Sequence, residues 1–157
     1  MAQKFDVCVL GATGLVGKTI IEIEGEENDI EKSIIELGLG LKSKLKSGLL
    51  QLDSINIFFN DDELSSPYIL SATLNPEFYN NDIEAILMYL DINGVAVSSG
   101  SACTSGTLKP SHVILGCGQS TDYANGTIRF SFGKNNTEED IVYVLNIMEQ
   151  MLSKFKL

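Results

Sequence analysis

Positive charge is scarce in this chain: 11 lysines and arginines stand against 21 aspartates and glutamates, a net charge of −10 over 157 residues. Phosphate backbones and anionic lipid headgroups repel such a chain, so neither nucleic acid nor a membrane surface is an expected partner. Histidine is rarer still. With His112 alone, a Cys/His zinc centre has too few ligands, and no metal site is expected. Cys8, Cys103 and Cys117 are odd in number and widely spaced, which argues against a disulfide framework and for a reducing compartment. No apolar run approaches the length of a spanning helix; that from Ile83 to Leu90 is interrupted by Glu84. The amino terminus also lacks a cationic region followed by a cleavable apolar one, so a cytoplasmic location is expected.

What is present suits one ordinary globular core, with 44% hydrophobic residues. Phe5-Asp6-Val7-Cys8-Val9-Leu10 reads as a buried strand and a helix should follow from about Leu15. Between them lies Gly11-Ala12-Thr13-Gly14-Leu15-Val16-Gly17, whose glycines permit a tight turn and a close approach of backbone N–H groups to a phosphate. From about Lys4 to Glu22 the chain resembles the amino terminus of aspartate-semialdehyde dehydrogenases, which implies a turn for the NADP pyrophosphate. The expected sequel is missing, since the acidic stretch Glu24 to Asn28 stands where further strand and helix units belong. The preferred reading is a strand, turn and helix without ligand, because one such unit cannot enclose a dinucleotide. An NADP-dependent dehydrogenase-like fragment is the alternative. The composition shift places a boundary after residue 24, dividing the chain into 1–24 and 25–157.

From Asp29 to Leu52, apolar residues at three- and four-residue steps predict one amphipathic helix, with Lys42, Lys44 and Lys46 on its solvated face. Gly38, Gly40 and Gly48 weaken it, so packing must hold it in place. Strands are expected at 55–59, 67–74, 95–97 and 127–132, with a turn at Asn60–Asp62. Helices are expected at 81–92, at 111–115 behind Pro110, and after Thr137, which caps a last helix with Asp140 in the box position. That helix should bury Ile141, Val144, Leu145, Met148 and Leu152. The strand at 127–132 sets Thr127, Arg129 and Ser131 on one face.

Two residues carry candidate chemistry. Cys103 lies in Ser98-Ser99-Gly100-Ser101-Ala102-Cys103-Thr104-Ser105-Gly106, where its neighbours are too small and polar to build a core. The thiol is presented rather than packed. A nucleophilic thiolate also needs something to place its electrophile, and Arg129, on a strand, can hold a carboxylate bidentately. It can equally point to solvent and pair with a surface acid. Cys117 reads as a small buried residue, with a resolving thiol as the alternative.

The motifs Asp91 to Cys103, Pro110-Ser111-His112-Val113-Ile114, Thr127-Ile128-Arg129-Phe130-Ser131-Phe132-Gly133 and Asn136 to Asp140 together resemble the carboxy-terminal domain of NifS-like and IscS-like cysteine desulfurases, which are pyridoxal-phosphate enzymes of the class-V aminotransferase family. The resemblance runs over residues 30–155. It implies an α+β fold, a small, mostly antiparallel sheet covered by helices. It also implies that Cys103 accepts sulfur from L-cysteine, leaving alanine and an enzyme persulfide for an iron–sulfur scaffold, and that Arg129 holds the substrate carboxylate. His112 matches a local structural residue, not the cofactor-stacking histidine. The family's larger domain supplies the Schiff-base lysine and phosphate-binding residues, and their motifs do not occur here. The expectation is therefore a truncated, chimeric desulfurase that binds no pyridoxal phosphate of its own and has no stand-alone activity. A non-enzymatic sulfur-relay module is the alternative, and apolar surface left exposed would favour a homo-oligomer.

Overall fold

The computed structural model describes residues 27–59, 65–100 and 110–157. The predicted first strand, the glycine turn with its following helix, the turn at 60–62 and Cys103 all lie outside them. The elements run α1 (Glu27–Leu52), β1 (Ile57–Phe59), β2 (Ile69–Leu74), α2 (Ile83–Ile92), β3 (Ser98–Ser99), α3 (His112–Gly116), α4 (Thr121–Asn125), β4 (Thr127–Ser131) and α5 (Glu138–Phe155). The strands form one sheet in the order β1-β2-β4-β3, with every pairing antiparallel. This is the α+β arrangement expected from the sequence.

Strand alternation divides the sheet into two faces. Leu70, Ala72 and Leu74 of β2 and Ile128 and Phe130 of β4 join the main core, where they meet α1, α2 and α5. Leu41, Leu45 and Leu49 repeat at four-residue steps along α1 and are all buried. Each contributes about 2 kcal/mol by leaving water, more than the roughly 1 kcal/mol that each helix glycine costs. Packing therefore outweighs propensity, as the glycine content required. Gly48 leaves room for a neighbour, because a Cβ there would overlap the end of the Leu145 side chain on α5.

Capping follows the sequence closely. Asp82 accepts from the Ala85 amide to begin α2, and Thr137 and Asp140 form a reciprocal capping box on α5. Gly94, with φ 73°, reverses the chain after α2.

Five expectations need correction. Residues 95–97 are not a strand: the Val95 amide still bonds to Leu90 O at 2.9 Å, and pairing with β4 begins only at Ser98. Lys42 is not solvated. It is only 6% exposed, because the segment entering β2 crosses this face of α1 and the Lys42 ammonium donates to Ser66 O at 2.9 Å. Cys117 is exposed rather than buried, since it caps the carboxy-terminal end of α3 at the surface. The short helix behind Pro110 begins one residue late, with Ser111 as its cap instead of its first residue. On α5, Val144 and Leu145 are only partly buried, whereas Ile147 and Met151 complete the core. The sequence reading also passed over α4, in which only Ala124 is buried, too little to produce an apolar period.

Candidate functional site

The second face of the sheet is polar. Along β4 it carries Thr127, Arg129 and Ser131, the alternation expected from the sequence, and along β2 their register partners Thr73, Ser71 and Ile69. Arg129 is half-buried on an inner strand, with Ser71 opposite it on one side and Ser98 on the other. A strand holds the first atoms of the side chain more firmly than a loop does, and flanking serines add short hydroxyls to the guanidinium's surroundings. Ser71 and Ser98 were not singled out from the sequence. The period-two placement of Ser71 and Thr73 within 69–74 was the available signal for Ser71; Ser98 required the register.

Helix α4 covers one end of this face. Tyr123 packs its ring against Phe58 with centroids 5.8 Å apart, and its hydroxyl donates to Asn75 Oδ1 at 3.3 Å. The Thr127 hydroxyl donates to Tyr123 O at 3.2 Å, so the 2.8 Å contact between Thr73 Oγ1 and Thr127 Oγ1 has Thr73 as donor. Thr127 is fully buried.

The chain enters and leaves the Cys103 segment beside this threonine. Gly100 donates its amide to Thr127 O at 3.0 Å. A Cβ on Gly100 would lie 3.2 Å from Thr127 Cβ and 3.3 Å from Ser111 Cβ. Residues on both sides of the segment thus meet at the start of β4, two positions from Arg129. His112 is the exposed first residue of α3, and Cys117 is the exposed residue at its other end. No cluster of His, Cys, Asp or Glu suited to a metal occurs among the described residues.

A second polar cluster braces the sheet from below. Tyr79 and Asn56 both donate to the Asp53 carboxylate, and Asn75 joins Asn56 and Tyr123 to the same chain of contacts. Burial alone would raise the Asp53 carboxyl, but the Tyr79 and Asn56 hydrogen bonds outweigh it and hold the group below its usual range. Tyr79 moves the other way: burial first, then the neighbouring carboxylate, hold its phenol protonated well above the ordinary range.

The profile of the family described as Aminotransferase class-V matches residues 18–144. The chain belongs to that family. Within it, the class-V chain is 38% identical over 142 residues to the cysteine desulfurase IscS of Acinetobacter baumannii (strain AYE), covering 90% of this chain and 31% of that protein. It is 42% identical over 85 residues to the IscS of Clostridium botulinum, covering 54% and 21%. The chain spans about a third or less of the curated relatives it matches. Among solved structures, a NifS-like protein aligns with TM-score 0.64 at 28% identity, over 82% of this chain and 30% of that one. A NifS-like protein from Rickettsia africae aligns with TM-score 0.65 at 23% identity, over 80% and 31%. These place the fold among NifS-like proteins, and over the matched residues the sequence is similar to part of the IscS cysteine desulfurases.

Pyridoxal phosphate is the cofactor of this family, and neither the described lysines nor the hollow beside α1 offers a seat for it. The buried amine, Lys42, is engaged by the Ser66 carbonyl, and the other described lysines are exposed or half-exposed. The hollow between Ile34, Leu37, Tyr68 and Phe132 has a volume of about 20 Å³, room for little more than a water molecule.

Proposed function

We propose that this chain is the sulfur-accepting part of a cysteine desulfurase. Cys103 is the nucleophile and Arg129 the group that holds the carboxylate of the sulfur donor. Overall, L-cysteine and the Cys103 thiol give alanine and Cys103 persulfide, a redox-neutral transfer of one sulfur atom. The chain's own share is the attack of the Cys103 thiolate on the departing sulfur, with a new S–S bond formed as the donor's bond to that sulfur breaks. The persulfide is then passed on, with an iron–sulfur scaffold protein as the proposed acceptor.

The observation that carries this reading is the convergence of Gly100 and Ser111, which flank the Cys103 segment, on the strand bearing Arg129. An amino-acid sulfur donor requires a group for its carboxylate and a nucleophile for its sulfur, the roles proposed for Arg129 and Cys103. Because the family's Schiff-base and phosphate-binding motifs do not occur in these 157 residues, the polypeptide is expected to act as an acceptor of sulfane sulfur and not to release it from L-cysteine unaided.

The test is to mix the chain with pyridoxal phosphate and L-cysteine, and separately with cysteine persulfide, measuring alanine and protein-bound sulfane sulfur. Sulfur uptake from the persulfide, lost in Cys103→Ser and retained in Cys117→Ser, is the expected result. Alanine release with an aldimine absorbance band would overturn the acceptor-only assignment and make the chain a desulfurase by itself. Equal uptake by the two variants would refute Cys103 as the acceptor.

A further inference from the structure

We propose that Ser71 is a specificity-determining residue of the Arg129 site, its hydroxyl donating a hydrogen bond to the carboxylate that the guanidinium holds. This rests on the carboxylate-binding reading of Arg129 given above and makes no use of Cys103. Its own basis is the register of β2 against β4. The Phe132 amide donates to Tyr68 O at 2.8 Å and the Leu74 amide to Gly126 O at 3.0 Å, each between residues directly opposite in that register. Main-chain bonds of an antiparallel ladder fall on alternate pairs. Leu70 with Phe130 and Ala72 with Ile128 are therefore bonded pairs, and Ser71 with Arg129 and Thr73 with Thr127 are the non-bonded ones. Non-bonded pairs bring Cα atoms to about 4.5 Å and side chains closest together. On the other side of β4 the Gly100 amide donates to Thr127 O, which makes Ser98 and Arg129 a bonded pair, about 5.5 Å apart. Ser71, not Ser98, is the close neighbour of Arg129.

The next non-bonded pair along the face shows that such side chains meet, since Thr73 Oγ1 and Thr127 Oγ1 lie 2.8 Å apart. There both hydroxyls serve the fold, and that of Thr127 goes on to Tyr123 O. The Ser71 hydroxyl is engaged by no other described residue. Burial falls away along the same face of β4, from fully buried Thr127 through half-buried Arg129 to exposed Ser131. A small anion therefore approaches from the Ser131 end and is stopped at the threonine pair. At Arg129 it meets the planar fork and, on the adjacent strand, a short hydroxyl donor. A carboxylate has acceptor positions for both, whereas a neutral amide has one oxygen to offer and adds donors that the guanidinium repels.

The experiment uses the full chain and two unreactive probes, S-methyl-L-cysteine and its carboxamide, which differ only at the carboxylate and, with the sulfur blocked, transfer nothing. The readout is the apparent Kd of each, followed through the Arg129 Nε–Hε signal in nitrogen–proton correlation spectra. Ser71→Thr and Ser71→Val have the same shape and both suit a strand, but only threonine keeps the hydroxyl. The wild type and Ser71→Thr are expected to bind the acid in preference to the carboxamide. Ser71→Val is expected to bind the acid roughly two- to tenfold more weakly, the contribution of one hydrogen bond, with carboxamide binding unchanged. Ser71→Ala is expected to show the same loss without an added methyl group, so the test stands even if Ser71→Val unfolds. Affinity for the acid that is the same with and without the hydroxyl in folded variants would overturn the role of Ser71 and leave the Arg129 reading intact. A wild type that does not distinguish the two probes would contradict the Arg129 reading and, with it, the inference built on it.

Discussion

The Tyr79 hydroxyl donates to Asp53 Oδ2 at 2.6 Å, joining the residue that follows α1 to the chain leaving β2. The bond has a definite pH signature. Asp53 has a folded-state value below its ordinary 3.8, so its contribution is present above the unfolded value and is lost as pH falls through the folded one. Tyr79 is raised from 10.0, so its contribution is complete below about pH 10 and is lost only as pH rises through a still higher value. Tyr79→Phe should therefore cost about 1 kcal/mol near neutrality and reduce the loss of stability on acidification below pH 4. Urea unfolding of both proteins at pH 3 and pH 7 measures this.

Two glycines of α1 should respond unequally. Nothing lies within 4 Å of a Cβ built on Gly40, whereas one on Gly48 overlaps Leu145. Gly40→Ala should stabilise by roughly 0.5–1 kcal/mol through helix propensity and a less flexible unfolded chain. Gly48→Ala must turn the partly buried Leu145 side chain aside, so its gain should be smaller than that of Gly40→Ala by about 0.5–1 kcal/mol. Thermal unfolding of the two single variants decides it.

Arg129→Lys keeps the charge and removes the planar fork. If the side chain grips a carboxylate bidentately, the variant should raise the KM for cysteine persulfide roughly tenfold or more, with a smaller change for cysteamine persulfide. Equal effects on the two donors would point to a structural role for Arg129. Initial-rate labelling of Cys103 against each donor provides the comparison.

Much of this architecture was legible in the sequence because local signals and burial agreed. The leucines of α1, the Thr137 and Asp140 box and the alternation around Arg129 each encode one element through nearby residues. What escaped was set by distant contacts. Lys42 reads as a surface lysine on its own helix, and only the chain near Ser66 makes it a buried one. Val95 has the composition of a strand residue, yet the end of α2 takes its amide first. For the candidate site, Arg129 and its face were visible in the alternation, and the Cys103 assignment came from resemblance. Gly100 as a meeting point was not visible, since contact with Thr127 and Ser111 arises only when β4 pairs with β3.

The central claim is that Cys103 receives the sulfur. Peptide mass spectrometry after brief treatment of the wild-type chain with cysteine persulfide locates the added atom among Cys8, Cys103 and Cys117. The account predicts one extra sulfur on the Cys103 peptide before either of the others is modified. Sulfur appearing first on Cys117, or at equal rates on all three, would contradict it.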